Sequence, residues 1–366
     1  MSVSVPPKGA AKDAIDTPAL LLDRDRLERN IHRMADLFHD GGMRLRPHFK
    51  SHKCVEIAGL QLAAGAVGIT CAKLGEAEVL ADAGIQDVLI ANQIVGPVKI
   101  ARLMELARRC DVMVAVDDAG NVADLSAAAV QGGVTIRCLV EVDVGMDRCG
   151  VQPGEPGLEL ARVLVASPGL RFMGLQAYEG HLQEVKPYEE RRRRALADMQ
   201  KAVDTRRLIE AAGIPVQLVS GGGTGTHTIT GYLDGVDELQ VGSYATMDAA
   251  YASVGGADFE NALTVLATVI SRPRPERGIV DAGLKSITPE FGVPRVLVEG
   301  ATYDEFHEEH GALLLEGPAR ELRVGDKVEL IPSHGCTTFN LYDVVHVLRD
   351  GRLVERWPVA GRGRAQ

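Results

Sequence analysis

Alternation is the feature that most constrains this chain. Short apolar runs of strand-like composition fall at residues 43–49, 67–72, 87–92, 111–116, 135–144, 170–178, 215–220 and 238–245, and each is preceded by a stretch whose apolar residues recur at helical spacing. The stretch at 24–37 carries Leu27, Ile31, Met34 and Leu37 at that spacing. Helical stretches close on Gly65, Gly84, Gly133, Gly169 and Gly213, as helix C-termini commonly do. Strands separated by helices pair in parallel through crossovers. Eight such units close a cylinder, so the expected fold is α/β, a (β/α)8 TIM-like barrel over residues 26–262. An open doubly wound sheet would place G-x-G-x-x-G in its first strand–helix turn. That turn holds Lys50 and no glycine.

Beyond residue 263 the rhythm changes. Strand-like runs at 265–270, 278–280, 295–298, 311–315, 327–330 and 344–348 have few helical stretches between them. A second, mostly antiparallel β domain is expected over residues 263–366. Residues 1–25 read as a loose arm, with Pro6, Pro7 and Gly9, followed by a strand at 16–23 that is expected to join the β domain.

The 366 residues, 46% hydrophobic and 25% charged, suit a large folded core. A net charge of −10 argues against a nucleic-acid surface. The basic run Arg191–Arg194 follows Glu189 and Glu190 in a helix-like stretch and reads as a solvated face. The six cysteines have no paired metal spacing, so buried thiols in a reducing cytoplasm are expected. No run is long and apolar enough to cross a membrane.

Lys50 lies where the first barrel strand hands over to a helix, in Arg46-Pro-His-Phe-Lys-Ser-His-Lys53. In a barrel that is the C-terminal rim, where the chemistry sits. Partial burial and the nearby His48, His52 and Lys53 both favour its neutral amine, the form that attacks a carbonyl. After the seventh strand candidate comes Ser220-Gly221-Gly222-Gly223-Thr224-Gly225. Consecutive glycines let backbone N–H groups approach an anion, and barrel phosphate sites recur after strands seven and eight. Gly242, Ser243 and Tyr244 could form a second side of that cup.

A rim lysine and a phosphate cup together point to pyridoxal 5′-phosphate, with the lysine as its Schiff base. Arg148 ends the fifth strand candidate, where it could face the cofactor's phenolic oxygen, and Tyr178 ends the sixth, where it could line the ring. In the β domain, an extended His334-Gly-Cys336 would turn both side chains to one face. Imidazole and thiolate suit a borderline-soft metal such as zinc, and two ligands leave positions open for water or substrate.

In combination these segments, with Asp16-Thr-Pro-Ala19, Val142–Arg148, Gly174–Tyr178, Glu238–Tyr244, Val280–Lys285 and His334–Asp343, resemble the D-threonine aldolase and D-serine dehydratase group of alanine-racemase-like (fold type III) pyridoxal phosphate enzymes. The resemblance covers nearly the whole chain. It implies that Lys50 carries the cofactor, that Arg148 and Tyr178 contact it, and that the glycine loop and Tyr244 hold its phosphate. It also implies a divalent metal (Zn, Mn or Mg) on His334 and Cys336, and a homodimer. The activity implied is cleavage of a β-hydroxy-D-amino acid to glycine and an aldehyde, with His181 as a candidate base. The alternative is elimination to a 2-oxo acid and ammonia, as in the dehydratases. A cofactor carrier without activity is a third possibility, against which the β domain and the His334/Cys336 pair argue. Aldolases of this group tend to carry an acid where Cys336 stands, whereas the segment ending at Asp343 is aldolase-like.

Overall fold

The computed structural model describes residues 6–39, 41–256 and 258–366. After a first strand, β1 (Ala19–Asp23), eight short strands follow: β2 (Arg44–Leu45), β3 (Ile69–Cys71), β4 (Asp87–Ile90), β5 (Asp111–Val116), β6 (Ile136–Glu141), β7 (Leu170–Ala177), β8 (Leu218–Gly221) and β9 (Glu238–Leu239). They pair in parallel in the order β2-β9-β8-β7-β6-β5-β4-β3. The cylinder closes where the Val67 N–H donates to Leu45 O and the Thr70 N–H to Pro47 O, both at 2.9 Å. Every expected barrel strand is present. β2 and β9 are far shorter than their apolar runs because each run bends into a 3-10 turn, Phe49–Ser51 and Ser243–Ala245 respectively.

The strands are buried on both faces. Val112, Val114 and Val116 of β5 pack outward under the helices, while Met113 joins Leu89, Leu139, Met173 and Leu218 in a separate inner cluster. This is the period-2 alternation of a pleated strand. A buried polar chain also runs through the barrel: Gln240 donates to Gln176 (2.6 Å) and Ser220 (2.8 Å), and Ser220 donates to Glu238 (2.7 Å). Glu238 pairs with Arg46 at 2.9 Å, and Arg46 with Asp87 at 2.7 Å.

The remaining strands are β10 (Leu263–Arg274), β11 (Arg277–Val280), β12 (Arg295–Val296), β13 (Ala301–Phe306), β14 (Gly311–Leu315), β15 (Lys327–Ile331), β16 (Val344–Arg349) and β17 (Arg352–Pro358). Their sheet runs β13-β14-β11-β10-β1-β16-β17, with β15 on β10 and β12 on β15. As expected, β1 joins it, antiparallel to β10 and parallel to β16. The sequence signal missed β13 and β17. Both lie at the ends of the sheet order and carry charged residues, as edge strands do, so they lack the apolar run that marks the others.

The helix Arg24–Phe38 binds the two sheets together. Its start is capped by Asp23, which accepts the Arg26 N–H at 3.0 Å. Leu27, Ile31, Met34 and Phe38 pack into a core shared with Tyr244, Phe339 and Trp357, whereas Leu37 is half-exposed. In the arm, the Gly9 N–H donates to Leu353 O and the Leu353 N–H to Ala10 O, which fastens residues 9–10 beside β17. Met1–Val5 of that arm lie outside the described residues. Arg191 departs from the solvated-face reading: it is fully buried, and its guanidinium donates to the carbonyls of Val185, Val254 and Gly255. Cys54, Cys71, Cys110 and Cys138 are buried free thiols, as expected. No helix among the described residues is long and apolar enough to cross a membrane.

Candidate active site

The turn Phe49–Ser51 places Lys50 at the rim of the barrel, on the wall of a cavity of about 450 Å³. Arg148, Tyr178, Gly223, Thr224, His334 and Cys336 line the same cavity, so both sheets contribute to it. The Lys50 Nζ lies 5.5 Å from the centre of the Tyr178 ring, and the Arg148 guanidinium approaches that ring at the same distance. Burial pulls the Lys50 amine below the usual lysine value; Cys336 opposes the shift and Arg148 adds to it. The expected direction holds, but Arg148 replaces His48, His52 and Lys53 as the cation responsible. Burial keeps both histidines neutral, moving His52 to about 4, and Lys53 turns away to Glu76 (3.3 Å) and Asn340 (2.9 Å).

Within the glycine turn, Gly223 and Thr224 face the cavity. Gly225 is required by a close approach: a Cβ there would lie 1.9 Å from Gln183 O, and its N–H donates to Gln183 Oε1 at 2.9 Å. A Cβ on Gly221 would lie 1.7 Å from Ala177 O, and one on Gly222 2.5 Å from a Leu239 methyl, so these two glycines serve packing. Ser220 is bound into the polar chain inside the barrel. Gly242 and Ser243 line the same cavity. The Tyr244 side chain does not. Its ring packs at 5.7 Å from that of Phe259, its hydroxyl accepts from Gln61 Nε2 at 3.1 Å, and only its N–H turns toward the turn, donating to Thr224 Oγ1 at 3.0 Å.

His334 is extended but Cys336 is helical, so the segment is not extended throughout. His334 caps the short helix Gly335–Phe339, whose first turn brings Cys336 back beside it. The His334 Nδ1 lies 3.1 Å from Asp248 Oδ2, which also accepts the Gly335 N–H at 2.9 Å. Burial pulls the imidazole down, but the Cys336 thiolate and the Asp248 carboxylate outweigh it and push His334 up to about 11. Burial raises the Cys336 thiol, and His334, with Lys50, outweighs this to bring it below its ordinary value.

The comparisons fit this arrangement. The family described as alanine racemase, N-terminal domain, matches residues 22–250, and the putative serine dehydratase domain matches residues 262–348. The chain is 43% identical to a D-threonine aldolase of Arthrobacter sp. (99% of this chain, 97% of that one). It is 40% identical to a 3-hydroxy-D-aspartate aldolase of Paracoccus denitrificans (97% and 94%). The crystal structure of D-threonine aldolase from Filomicrobium marinum superposes with a TM-score of 0.95 at 42% identity, covering 98% of this chain and 99% of that one. This chain belongs to the D-threonine aldolase and D-serine dehydratase-like family.

Membership of that family implies pyridoxal 5′-phosphate. The residues present fit the cofactor: a depressed lysine amine, an arginine, an aromatic face and a turn in which side chains are sterically excluded all meet in one cavity. For a metal, no group of three or more His, Cys, Asp or Glu side chains suited to hold an ion is found among the described residues. His334 and Cys336 would offer a metal two donors, and a thiolate with an imidazole suits a borderline-soft divalent ion.

The structure also moves the candidate base off the cavity. His181 points toward the helix Tyr188–Ala211, where its Nε2 lies 3.0 Å from Asp198. Glu184, three residues on, lines the cavity instead. Gln183 and Tyr251, which line the cavity, and Asp248, which holds His334 from behind, carry no sequence signal beyond an N-cap aspartate before a short helix.

Proposed function

We propose that this protein is a pyridoxal phosphate- and divalent-metal-dependent lyase that cleaves β-hydroxy-D-amino acids, such as D-threonine or 3-hydroxy-D-aspartate, to glycine and an aldehyde. The observation that carries the proposal is the convergence of Lys50, the Arg148–Tyr178 pair, Gly223–Thr224 and the His334–Cys336 pair on one cavity. The aldolases similar over nearly the full chain support it.

Bound pyridoxal phosphate supplies an aldehyde that condenses with amines and a ring that accepts the electron pair left on Cα. Lys50 would carry it. A neutral amine is the competent nucleophile, and burial makes more of Lys50 neutral at a given pH. On the same cavity wall, Lys50 would also be the group that returns a proton to Cα. Arg148 reinforces the neutrality of Lys50 and lies against the same Tyr178 ring. Gly223, Thr224, Gly242 and Ser243 offer backbone N–H groups and hydroxyls for the phosphate. A divalent metal supplies positive charge that lowers the pKa of a bound hydroxyl. His334 and Cys336 would hold it, and the thiolate favours zinc over manganese or magnesium.

We also read the protein as a cytoplasmic homodimer. Its six free thiols suit a reducing compartment, and exposed Leu284, Phe291 and Val293 near the cavity give a second copy an apolar surface.

Incubation with D-threonine and then D-serine tests the reaction. Glycine plus acetaldehyde from D-threonine is expected. Ammonia plus a 2-oxo acid would replace cleavage with the elimination carried out by the dehydratase relatives, one of which is 32% identical to this chain.

A further inference from the structure

Cleavage between Cα and Cβ requires a group that removes the β-hydroxyl proton as the new carbonyl forms. With His181 off the cavity, the candidates are the titratable side chains that line it near His334, and Asp248 just behind that imidazole. Asp248 is committed: Oδ2 accepts from His334 Nδ1 and the Gly335 N–H, and Oδ1 accepts the Tyr251 N–H at 2.9 Å. Glu290 is exposed and accepts from Thr337 Oγ1 at 2.9 Å. Glu141 sits on the Arg148 side, where it accepts from Gln93 at 2.5 Å. Burial raises the phenols of Tyr178 and Tyr251 further above neutrality, which disqualifies them as bases.

Glu184 is the remaining carboxylate. It is half-buried, lines the cavity, and makes no hydrogen bond or ion pair among the described residues. Its neighbours are anchored on both sides. Gln183 accepts from the Gly225 N–H (2.9 Å) and donates to Thr226 Oγ1 (3.1 Å), while Val185 O accepts from the buried Arg191 at 2.7 Å. Arg191 also holds Val254 and Gly255, and so ties the Glu184 segment to the end of the short helix Ala249–Ala252, which Asp248 caps and which carries Tyr251. A free carboxylate on a clamped segment facing the His334–Cys336 pair is geometry suited to proton transfer.

We infer that Glu184 is the base that takes the β-hydroxyl proton of the substrate, an assignment that rests on the retro-aldol reading above. The carboxylate gains the O–H proton, the O–H electron pair becomes the second bond of the aldehyde carbonyl, and the Cα–Cβ pair stays on Cα. Lys50, having taken up the proton that the substrate ammonium gives up, then protonates Cα, and the proton on Glu184 returns through solvent to the departing glycine amine. The sum is one β-hydroxy amino acid split into glycine and an aldehyde, with no net oxidation or reduction. Burial and the carboxylates of Asp248 and Glu290 raise the Glu184 carboxyl above its ordinary value, while His334 and Lys186 oppose them.

The test is Glu184→Gln in the holoenzyme, with Glu184→Asp beside it. D-threonine cleavage should fall by about 10²–10⁴-fold in the glutamine variant and by less in the aspartate variant. Two further readouts separate catalysis from structure. Exchange of the glycine α-proton in D2O, which needs Lys50 but no β-hydroxyl, should persist at the wild-type rate. The wild-type cleavage rate should fall as pH drops through the raised carboxyl value, and that limb should be absent from the glutamine variant. Unchanged cleavage in Glu184→Gln, or equal loss of cleavage and exchange, would overturn the assignment. Ammonia from the wild type in place of glycine would instead refute the retro-aldol reading itself.

Discussion

Asp248 holds His334 through a single carboxylate oxygen, with Oδ2 3.1 Å from Nδ1 and 2.9 Å from the next backbone N–H. That contact makes Nδ1 the donor and leaves Nε2, on the Cys336 side, as the ring nitrogen that would ligate. Carboxylates behind metal-binding imidazoles fix the tautomer and raise ligand basicity. Asp248→Asn should therefore weaken metal affinity by about 10–100-fold, measured by competition with a chromophoric chelator. The absorption of the Lys50-bound cofactor should be unaffected. Chelation of the wild type with EDTA should likewise stop cleavage and leave that absorption in place. A protein that merely carried the cofactor would be indifferent to EDTA.

Tyr244 tests the shape of the phosphate cup. Its ring is in the core and its hydroxyl meets Gln61, so Tyr244→Phe should act on stability and leave cofactor binding alone. Loss of the hydroxyl leaves a buried amide N–H unpaired, at a cost of about 1–3 kcal/mol in urea unfolding. A fall in pyridoxal phosphate affinity, with stability unchanged, would put the phenol back in the cup.

The barrel was legible because its signal is local: apolar runs, helical spacing and terminal glycines each depend on residues close in sequence. Lys50, Arg148 and Tyr178 were readable for the same reason, since the position of a residue at a strand end follows from the strand. What the sequence hid was direction. Tyr244 and Thr224 are neighbours in the same cup, yet one side chain turns into the core, because the 3-10 turn Ser243–Ala245 interrupts the strand alternation. His181 and Glu184 are three residues apart, and only their turn geometry decides which faces the cavity. Asp248 reads as an ordinary helix cap and shows its other role only when His334, from the second sheet, is brought against it.

Arg46 and Glu238 form a buried pair at 2.9 Å inside the barrel, with side-chain exposures of 4% and 0%. Arg46→Met removes one partner and strands the other, which should cost about 3–5 kcal/mol. Asp87 is the outer end of the same chain. Burial would raise its carboxyl, but Arg137 and Arg46 outweigh this and hold it below the ordinary value. A depressed folded value means that its stabilisation is present above the unfolded carboxylate pKa and is lost as pH falls through the lower, folded one. The stability difference between wild type and Asp87→Asn should therefore be full at neutral pH and shrink under acid conditions. A difference that grew on acidification would contradict the pairing.

The charge around His334 should also select among substrates. Glu184 and Glu290 line that side of the cavity, Asp248 lies behind it paired with His334, and Phe291 stands edge-on to the imidazole at 4.9 Å. Arg148 lies on the other side, with Lys50 and Tyr178. A substrate whose β-hydroxyl points at His334 places its remaining β-substituent among these carboxylates. A methyl or phenyl group meets Phe291 at no electrostatic cost, whereas a second carboxylate is repelled. With the cavity open to water the repulsion is screened, so a discrimination of about 10–100-fold in kcat/KM is expected in favour of D-threonine over 3-hydroxy-D-aspartate. Raising the ionic strength should narrow the gap, and so should Glu290→Gln, which removes one of the charges while leaving the Thr337 hydroxyl an acceptor. Equal kcat/KM values, or a preference for the diacid that persists in low salt, would show that Arg148 or the metal, and not the acidic wall, governs the fit of the side chain.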